Sequence, residues 1–187
     1  TLSGRIAYLQ LLPLSLQELK TAGKVKAYYS LHILSGGYPE VIKKTISPSD
    51  WYAGYLTTYI ERDVRQLKNI SNLSQFSKLL RLCAGRTGQL LNLTALSNDC
   101  GIDQKTVAAW LSILQSSYII YLLKPYHTNF NKRIVKSPKL YFYDTGVACS
   151  LLGISHAKQI VTHAAKGPLF ENMVISELLK ERFNAGS

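Results

Sequence analysis

The stretch LSNDCGIDQKTVAAWL, residues 96–111, decides the fold, because it carries the pattern of two short helices joined by a tight turn. Gly101 marks the turn, where the backbone needs a positive φ that glycine adopts at little cost. Ser97 lies four residues earlier, where a small side chain lets the two helices approach. Apolar residues occupy the positions that such a pair buries: Leu96, Cys100, Ile102, Val107 and Trp110. Asn92 and Asp103 are expected to cap the two helices, so the stretch predicts a helix-turn-helix.

Two apolar segments after this unit predict a β-hairpin, with strands over 118–124 and 139–143. A helix-turn-helix followed by such a hairpin is a winged helix. Between Asp103 and Asp144 the chain has six Lys or Arg residues and no acidic residue, which favours contact with a phosphate backbone. The predicted nucleic-acid contacts are Gln104, Lys105, Thr106, Lys124, Lys132, Arg133, Lys136 and Lys139.

The second helix of the unit offers few groups that read bases. Gln104 is its one good base reader, and the helix has no Arg. The sequence therefore predicts weak or sequence-loose binding to DNA or RNA. The alternative is that the winged helix is a protein-interaction module inside a larger machine.

Composition limits the remaining functions. The 187 residues have a formal net charge of +11, which favours a polyanionic partner. Three widely spaced Cys residues argue against a disulfide framework and favour a reducing cytoplasm. No run of 18 apolar residues occurs, so no membrane span is expected. The sequence contains no P-loop and no metal-ligand spacing, and we expect no cofactor in this chain.

Helices are expected on both sides of the winged helix. Ser15 and Glu18 have the spacing of a capping box, and a helix over 24–35 ends at Gly36-Gly37. A long helix begins with Ser49 or Asp50 as its cap, and another covers 74–85. Asp144 is expected to cap the helix after the hairpin. The last helix carries Phe170, Val174, Leu178 and Phe183 on one stripe.

Several motifs in a fixed order resemble a family of prokaryotic AAA+-like ATPases. They are GRIAYLQLLPLSLQEL, GGYPEV, YIERDVRQL, GRTGQLLNLTALSNDCGI, SPKLYFYDTGVACSLLG and GPLFENMVISELL. In that family a P-loop ATPase domain precedes a winged helix and a fold related to the PD-(D/E)xK nucleases. The resemblance implies that this chain is a piece without the P-loop domain, which becomes an expected partner. ATP and Mg²⁺ are then expected only for the full-length parent, and the resemblance also implies a homo-oligomer.

The resemblance assigns roles to particular residues. Arg5 either points at a nucleotide phosphate or is structural. Glu171, and after it Glu177, match the Glu that the first helix of the nuclease-like fold supplies to a metal site. The other metal-binding residues of such nucleases have no match here, so the resemblance implies no complete active site. This chain alone is therefore expected to be neither an ATPase nor a nuclease.

We expect a mainly helical chain. Residues 1–48 form an exit from the ATPase core and a helical lid-like segment, 49–143 a long helix and the winged helix, and 144–187 the first helix of a truncated nuclease-like α/β domain. The expected function is nucleic-acid binding within an AAA+-like ATPase. One alternative is a non-enzymatic scaffold of the same ATPase, and a second is part of a nuclease.

Overall fold

The protein is mainly helical and has one small antiparallel sheet. The structure, a computed structural model, describes residues 11–43, 46–66, 70, 72–126 and 137–185. The helices are α1 Leu16–Thr21, α2 Tyr29–Ser35, α3 Pro39–Lys43, α4 Pro48–Thr58, α5 Leu73–Gly85, α6 Leu93–Cys100, α7 Gln104–Ser116, α8 Thr145–Leu151, α9 Ala157–Thr162 and α10 Lys166–Asn184. A π-helical segment, Tyr59–Val64, continues α4 directly. The predicted fold class, mainly α with a small hairpin, is confirmed.

The helix-turn-helix forms as predicted, with α6 and α7 joined at Gly101. Gly101 has a φ of 77°, in the left-handed region. Asn92 Oδ1 accepts a hydrogen bond from Ala95 N at 2.9 Å, and Asp103 Oδ1 accepts one from Thr106 N at 2.9 Å. Both predicted caps are therefore confirmed. Ser97 is buried between the helices, and α5 packs against α6.

The hairpin that follows α7 is shorter than predicted. Strand β1, Ile120–Leu123, pairs antiparallel with β2, Lys139–Phe142, in a register that places Ile120 opposite Phe142. Strand β1 begins after residue 118 because Tyr118, with a φ of 54°, belongs to the turn that closes α7.

The free edge of β2 also pairs with the segment between α5 and α6. Gly88 N donates to Leu140 O at 2.7 Å, and Leu140 N donates to Gln89 O at 3.0 Å. Leu90 forms a bridge with Lys139. Three helices with a hairpin and this short third segment have the arrangement of a winged helix.

Two helix starts differ from the sequence-based prediction. Helix α2 begins at Tyr29 and not at residue 24, because the backbone at Tyr28 is extended, with a φ of −129° and a ψ of 144°. The Lys26 N–H of the preceding segment donates to His32 Nε2 at 2.9 Å. Helix α4 begins at Pro48 after Ser47, so Ser49 and Asp50 lie inside its first turn and do not cap it. Proline is favoured at the first helical position because its missing N–H has no partner there in any case.

One hydrophobic cluster connects these elements. It runs from Ile33 in α2 through the helix-turn-helix and the hairpin to Leu169 in α10. Helix α8 lies near its centre and packs against α2, α4 and α5. The capping box of α1 is confirmed, since Ser15 N donates to Glu18 Oε2 and Glu18 N donates to Ser15 Oγ. The division into segments 1–48, 49–143 and 144–187 stays a prediction.

Candidate nucleic-acid interface

The exposed face of α7 is the first part of the predicted interface. It is built mainly from small or uncharged side chains: Gln104, Lys105, Ala108, Ala109, Ser112 and Ser116. Gln104 Nε2 donates to Thr94 Oγ1 of α6 at 3.1 Å. The Thr106 hydroxyl donates to Asp103 Oδ2 at 2.5 Å, so this group also serves the cap. Lys105 is the cation on the described part of this face.

The hairpin is the second part of the predicted interface. Lys124 follows β1 and is exposed. Lys132, Arg133 and Lys136 lie outside the described residues, as does Arg5, so the structure does not test their predicted roles.

Lys139 and Glu171 were predicted for two different roles, and the structure brings them together. Lys139 Nζ donates to Glu171 Oε1 at 2.8 Å, and the Tyr141 hydroxyl donates to the same oxygen at 2.5 Å. These two hydrogen bonds, with Lys139 the larger contributor, lower the pKa of Glu171. Burial, and then the bond to Glu171, raise the pKa of Tyr141. Glu171 is therefore an ionised partner of the hairpin.

Asn172, the next residue of α10, closes the free edge of β2. Its side chain is fully buried. Asn172 Oδ1 accepts from Phe142 N at 2.7 Å, and Asn172 Nδ2 donates to Phe142 O at 2.8 Å. The Thr87 hydroxyl donates to the same Oδ1 at 2.7 Å. The amide thus continues the pairing that Gly88 and Gln89 begin, in the way that a peptide group of a neighbouring strand would.

Glu177, the second candidate from the nuclease-like resemblance, binds the backbone at the start of α1. Its Oε2 accepts from Leu16 N at 2.6 Å, and its Oε1 accepts from Lys180 Nζ at 2.8 Å. Lys180 is 5% exposed and also donates to Leu14 O at 3.2 Å. In the described ranges no three His, Cys, Asp or Glu side chains are grouped so that they could hold a metal ion.

Asp144 lies at the centre of a second buried polar cluster. It caps α8 as predicted, through Gly146 N at 2.8 Å and Val147 N at 3.4 Å. It also accepts from Gly37 N at 2.7 Å and from the Tyr52 hydroxyl at 2.7 Å. Burial, and then the Asp144 charge, raise the pKa of Tyr52 well above its usual range.

The sequence motifs around these two clusters were recognised, but the roles of the residues in them were not predicted. The missed residues are Gly37, Tyr52, Thr87 and Asn172. The motifs GGYPEV and FENMVISEL contain Gly37 and Asn172, but nothing in the sequence says which strand or carboxylate they meet. Gly37 and Tyr52 bond to Asp144 across 107 and 92 residues. Asn172 bonds to Thr87 across 85 residues and to Phe142 across 30.

The π-helical segment carries the alternating charges of the YIERDV motif. Glu61 forms an ion pair with Arg65, one turn further along the chain. Arg62 and Asp63 are exposed.

Among the helices that the structure describes, none combines the length and the hydropathy of a membrane span.

Comparison with known proteins places the chain in a family. The family described as Domain of unknown function (DUF8612) matches residues 26–158, which include the helix-turn-helix and the hairpin. The chain belongs to this family. The DUF8612 match also contains Gly37, Tyr52 and Asp144 of the buried cluster and ends before α10.

Two curated relatives are longer than this chain. An uncharacterized protein of Mycobacterium bovis and one of Mycobacterium tuberculosis are each 27% identical to it over 180 residues. The match covers 95% of this chain and 40% of each relative. The chain therefore spans less than half the length of these relatives. No solved structure matches it.

Proposed function

We propose that this chain is the nucleic-acid-binding, winged-helix portion of a longer AAA+-like ATPase, and that the nucleotide site lies in a P-loop domain outside it. The observation that supports this most is the arrangement of α5, α6 and α7 with the hairpin and the segment that pairs with the edge of β2. The net charge of +11 adds to it. ATP, Mg²⁺, a homo-oligomeric parent and a cytoplasmic location belong to the same proposal.

The surface of α7 favours backbone contact over base reading. Ala108, Ala109 and Ser112 leave a low surface that can approach a groove closely, but they offer few hydrogen-bonding groups to base edges. In this proposal the exposed Lys105 and Lys124 neutralise phosphates. Lys132, Arg133 and Lys136, which lie between the two strands in the sequence, are proposed to do the same. The proposed ligand is therefore a duplex that is bound through its phosphates with little sequence preference.

Fluorescence anisotropy of a labelled duplex at several salt concentrations tests this function. The wild type is compared with a Lys132→Ala/Arg133→Ala/Lys136→Ala variant. The loss of three phosphate contacts should reduce the log–log salt slope by about 2.7, at roughly 0.9 per contact. A matched control, Lys20→Ala/Lys24→Ala/Lys158→Ala, removes three exposed charges elsewhere and should keep the wild-type slope.

Two results would contradict the proposal. One is a wild type that shows no salt-dependent binding in the micromolar range. The other is an equal loss of slope in both triple variants, because this would assign the binding to net charge and not to the wing.

A second function, a protein-interaction scaffold of the same ATPase, is favoured by α10. Its apolar residues Phe170, Val174 and Leu178 are 45%, 41% and 58% exposed. Its buried residues are Leu169 and the polar residues Asn172, Ser176 and Lys180. The anisotropy assay separates the two functions, because an apolar docking surface gives no salt-dependent binding of a duplex. The nuclease-like character of the last segment stays a prediction.

A further inference from the structure

The contact between Lys139 and Glu171 lies at the base of the hairpin and is open to solvent. The two side chains are 42% and 44% exposed, and Lys139 Nζ is 2.8 Å from Glu171 Oε1. A phosphate can therefore reach Lys139 only in competition with a carboxylate that is already bound to it. Lys105 and Lys124, the other described cations of the predicted interface, have no such carboxylate partner within the described part of the chain.

The Tyr141 hydroxyl favours the carboxylate in this competition, because it keeps Glu171 next to Lys139. It donates to the same Glu171 oxygen at 2.5 Å, from the same face of β2 as Lys139. If Lys139 turns toward a phosphate, Tyr141 still holds the carboxylate beside it. The negative charge of Glu171 then remains close to the bound phosphate and repels it.

The ion pair is not what joins α10 to the hairpin. The buried Asn172 side chain already binds both backbone groups of Phe142 and the Thr87 hydroxyl. An exposed Lys–Glu pair adds only about 0–1 kcal/mol to stability. The charge of Glu171 can therefore be removed without separating the two elements.

We propose that Glu171 masks Lys139 and thereby weakens the binding of nucleic acid at the hairpin. This inference rests on the proposed function and adds a regulator to it. Any event that withdraws or neutralises the Glu171 carboxylate releases one further phosphate contact. Glu171 is then a modulating residue of the interface and not a metal ligand.

The Glu171→Gln variant tests the masking, because Gln has the same shape and still accepts from Tyr141. Its duplex affinity at low salt should rise about threefold, and its log–log salt slope should steepen by about 0.9, the value for one added phosphate contact. The matched control is Glu181→Gln. It removes the same charge from an exposed position ten residues further along α10, about 15 Å away by the helical rise.

Lys139→Gln provides a second and independent measurement. In the wild-type background it removes the cation and leaves the Glu171 carboxylate uncompensated, so the affinity should fall. In the Glu171→Gln background it should abolish the gain. Circular dichroism of each variant checks that the helical content is unchanged.

The outcomes separate this inference from the function on which it rests. If neither the wild type nor Glu171→Gln binds a duplex in a salt-dependent way, the proposed function is contradicted. If the wild type binds and Glu171→Gln binds equally, only the masking is overturned. An equal gain in Glu181→Gln, or a gain that persists in the Glu171→Gln/Lys139→Gln double variant, also overturns the masking.

Discussion

Gly36, at the end of α2, lies where the N-terminal part packs on α8 and leaves no room for a side chain. Gly36 has a φ of 57°, and a Cβ at this position would overlap the Asp144 carboxylate and the Tyr52 hydroxyl. Gly101 has a similar φ of 77° but no atom within 4 Å of the place a Cβ would take. The two glycines therefore separate the effect of backbone conformation from the effect of close approach.

Gly36→Ala is expected to be much more destabilising than Gly101→Ala. Gly101→Ala should lower the free energy of unfolding by about 1 kcal/mol, the cost of a left-handed alanine. Gly36→Ala carries the same cost and also displaces Asp144 from its buried donors, for a total of about 3 kcal/mol or more. Urea denaturation of both variants measures the difference. Equal losses would mean that the Asp144 cluster yields easily.

At the scale of elements, local signals in the sequence predicted the helices that a side chain caps. They failed where no such cap is present or where a distant strand decides the pairing. Asn92, Asp103, Asp144 and the Ser15–Glu18 box all cap helices as expected, because each bonds N–H groups two or three residues away. The start of α2 has no side-chain cap to mark it, and the third pairing segment depends on the position of β2. Neither feature leaves a periodic pattern in the sequence.

The end of α7 contains the one non-glycine residue with positive φ in the described residues. Tyr118, with a φ of 54°, occupies a position where helices commonly end in glycine. Its ring contacts that of Tyr143 edge-on, with centroids 5.5 Å apart, and is 38% exposed. The ring contact offsets part of the backbone cost.

Tyr118→Gly and Tyr118→Ala separate these two contributions. Both variants lose the ring contact, which contributes about 0.5–1.5 kcal/mol. Only the glycine relieves the backbone, so Tyr118→Gly should be about 1 kcal/mol more stable than Tyr118→Ala and close to the wild type. Thermal unfolding followed by circular dichroism measures this order. Identical stabilities would show that the backbone at residue 118 is not strained.

At the scale of the whole molecule, the sequence predicted the helix-turn-helix and the hairpin but not how the flanking helices enclose them. Helix α10 illustrates the reason. Its apolar stripe was visible in the sequence, yet the residues that bond to the hairpin are Glu171 and Asn172. Periodicity identifies apolar faces, and it cannot show that a polar face meets a strand edge with unpaired backbone groups. The nucleic-acid site was likewise predicted as a set of free cations, and the partner of Lys139 came only from the fold.

The continuous core predicts that the described elements unfold together. The two tryptophans report on different parts of it, Trp51 from α4 and Trp110 from α7. In Trp51→Phe and in Trp110→Phe, the midpoint from the remaining tryptophan's fluorescence should coincide with the midpoint from circular dichroism, because one cluster connects both helices. Midpoints that differ within either variant would show that the winged helix is an independent folding unit.

The Asn172 amide also fixes which residues of the two strands face each other. It binds both the N–H and the C=O of one residue, Phe142, so a shift of β2 by one position would turn those groups away from it and would expose Phe142 to solvent. The same contact occupies the last unpaired backbone groups at that end of β2, where the strand of another molecule could otherwise attach. One side chain on a helix thus protects a two-stranded sheet, too short to be stable by itself, against slippage and against aggregation.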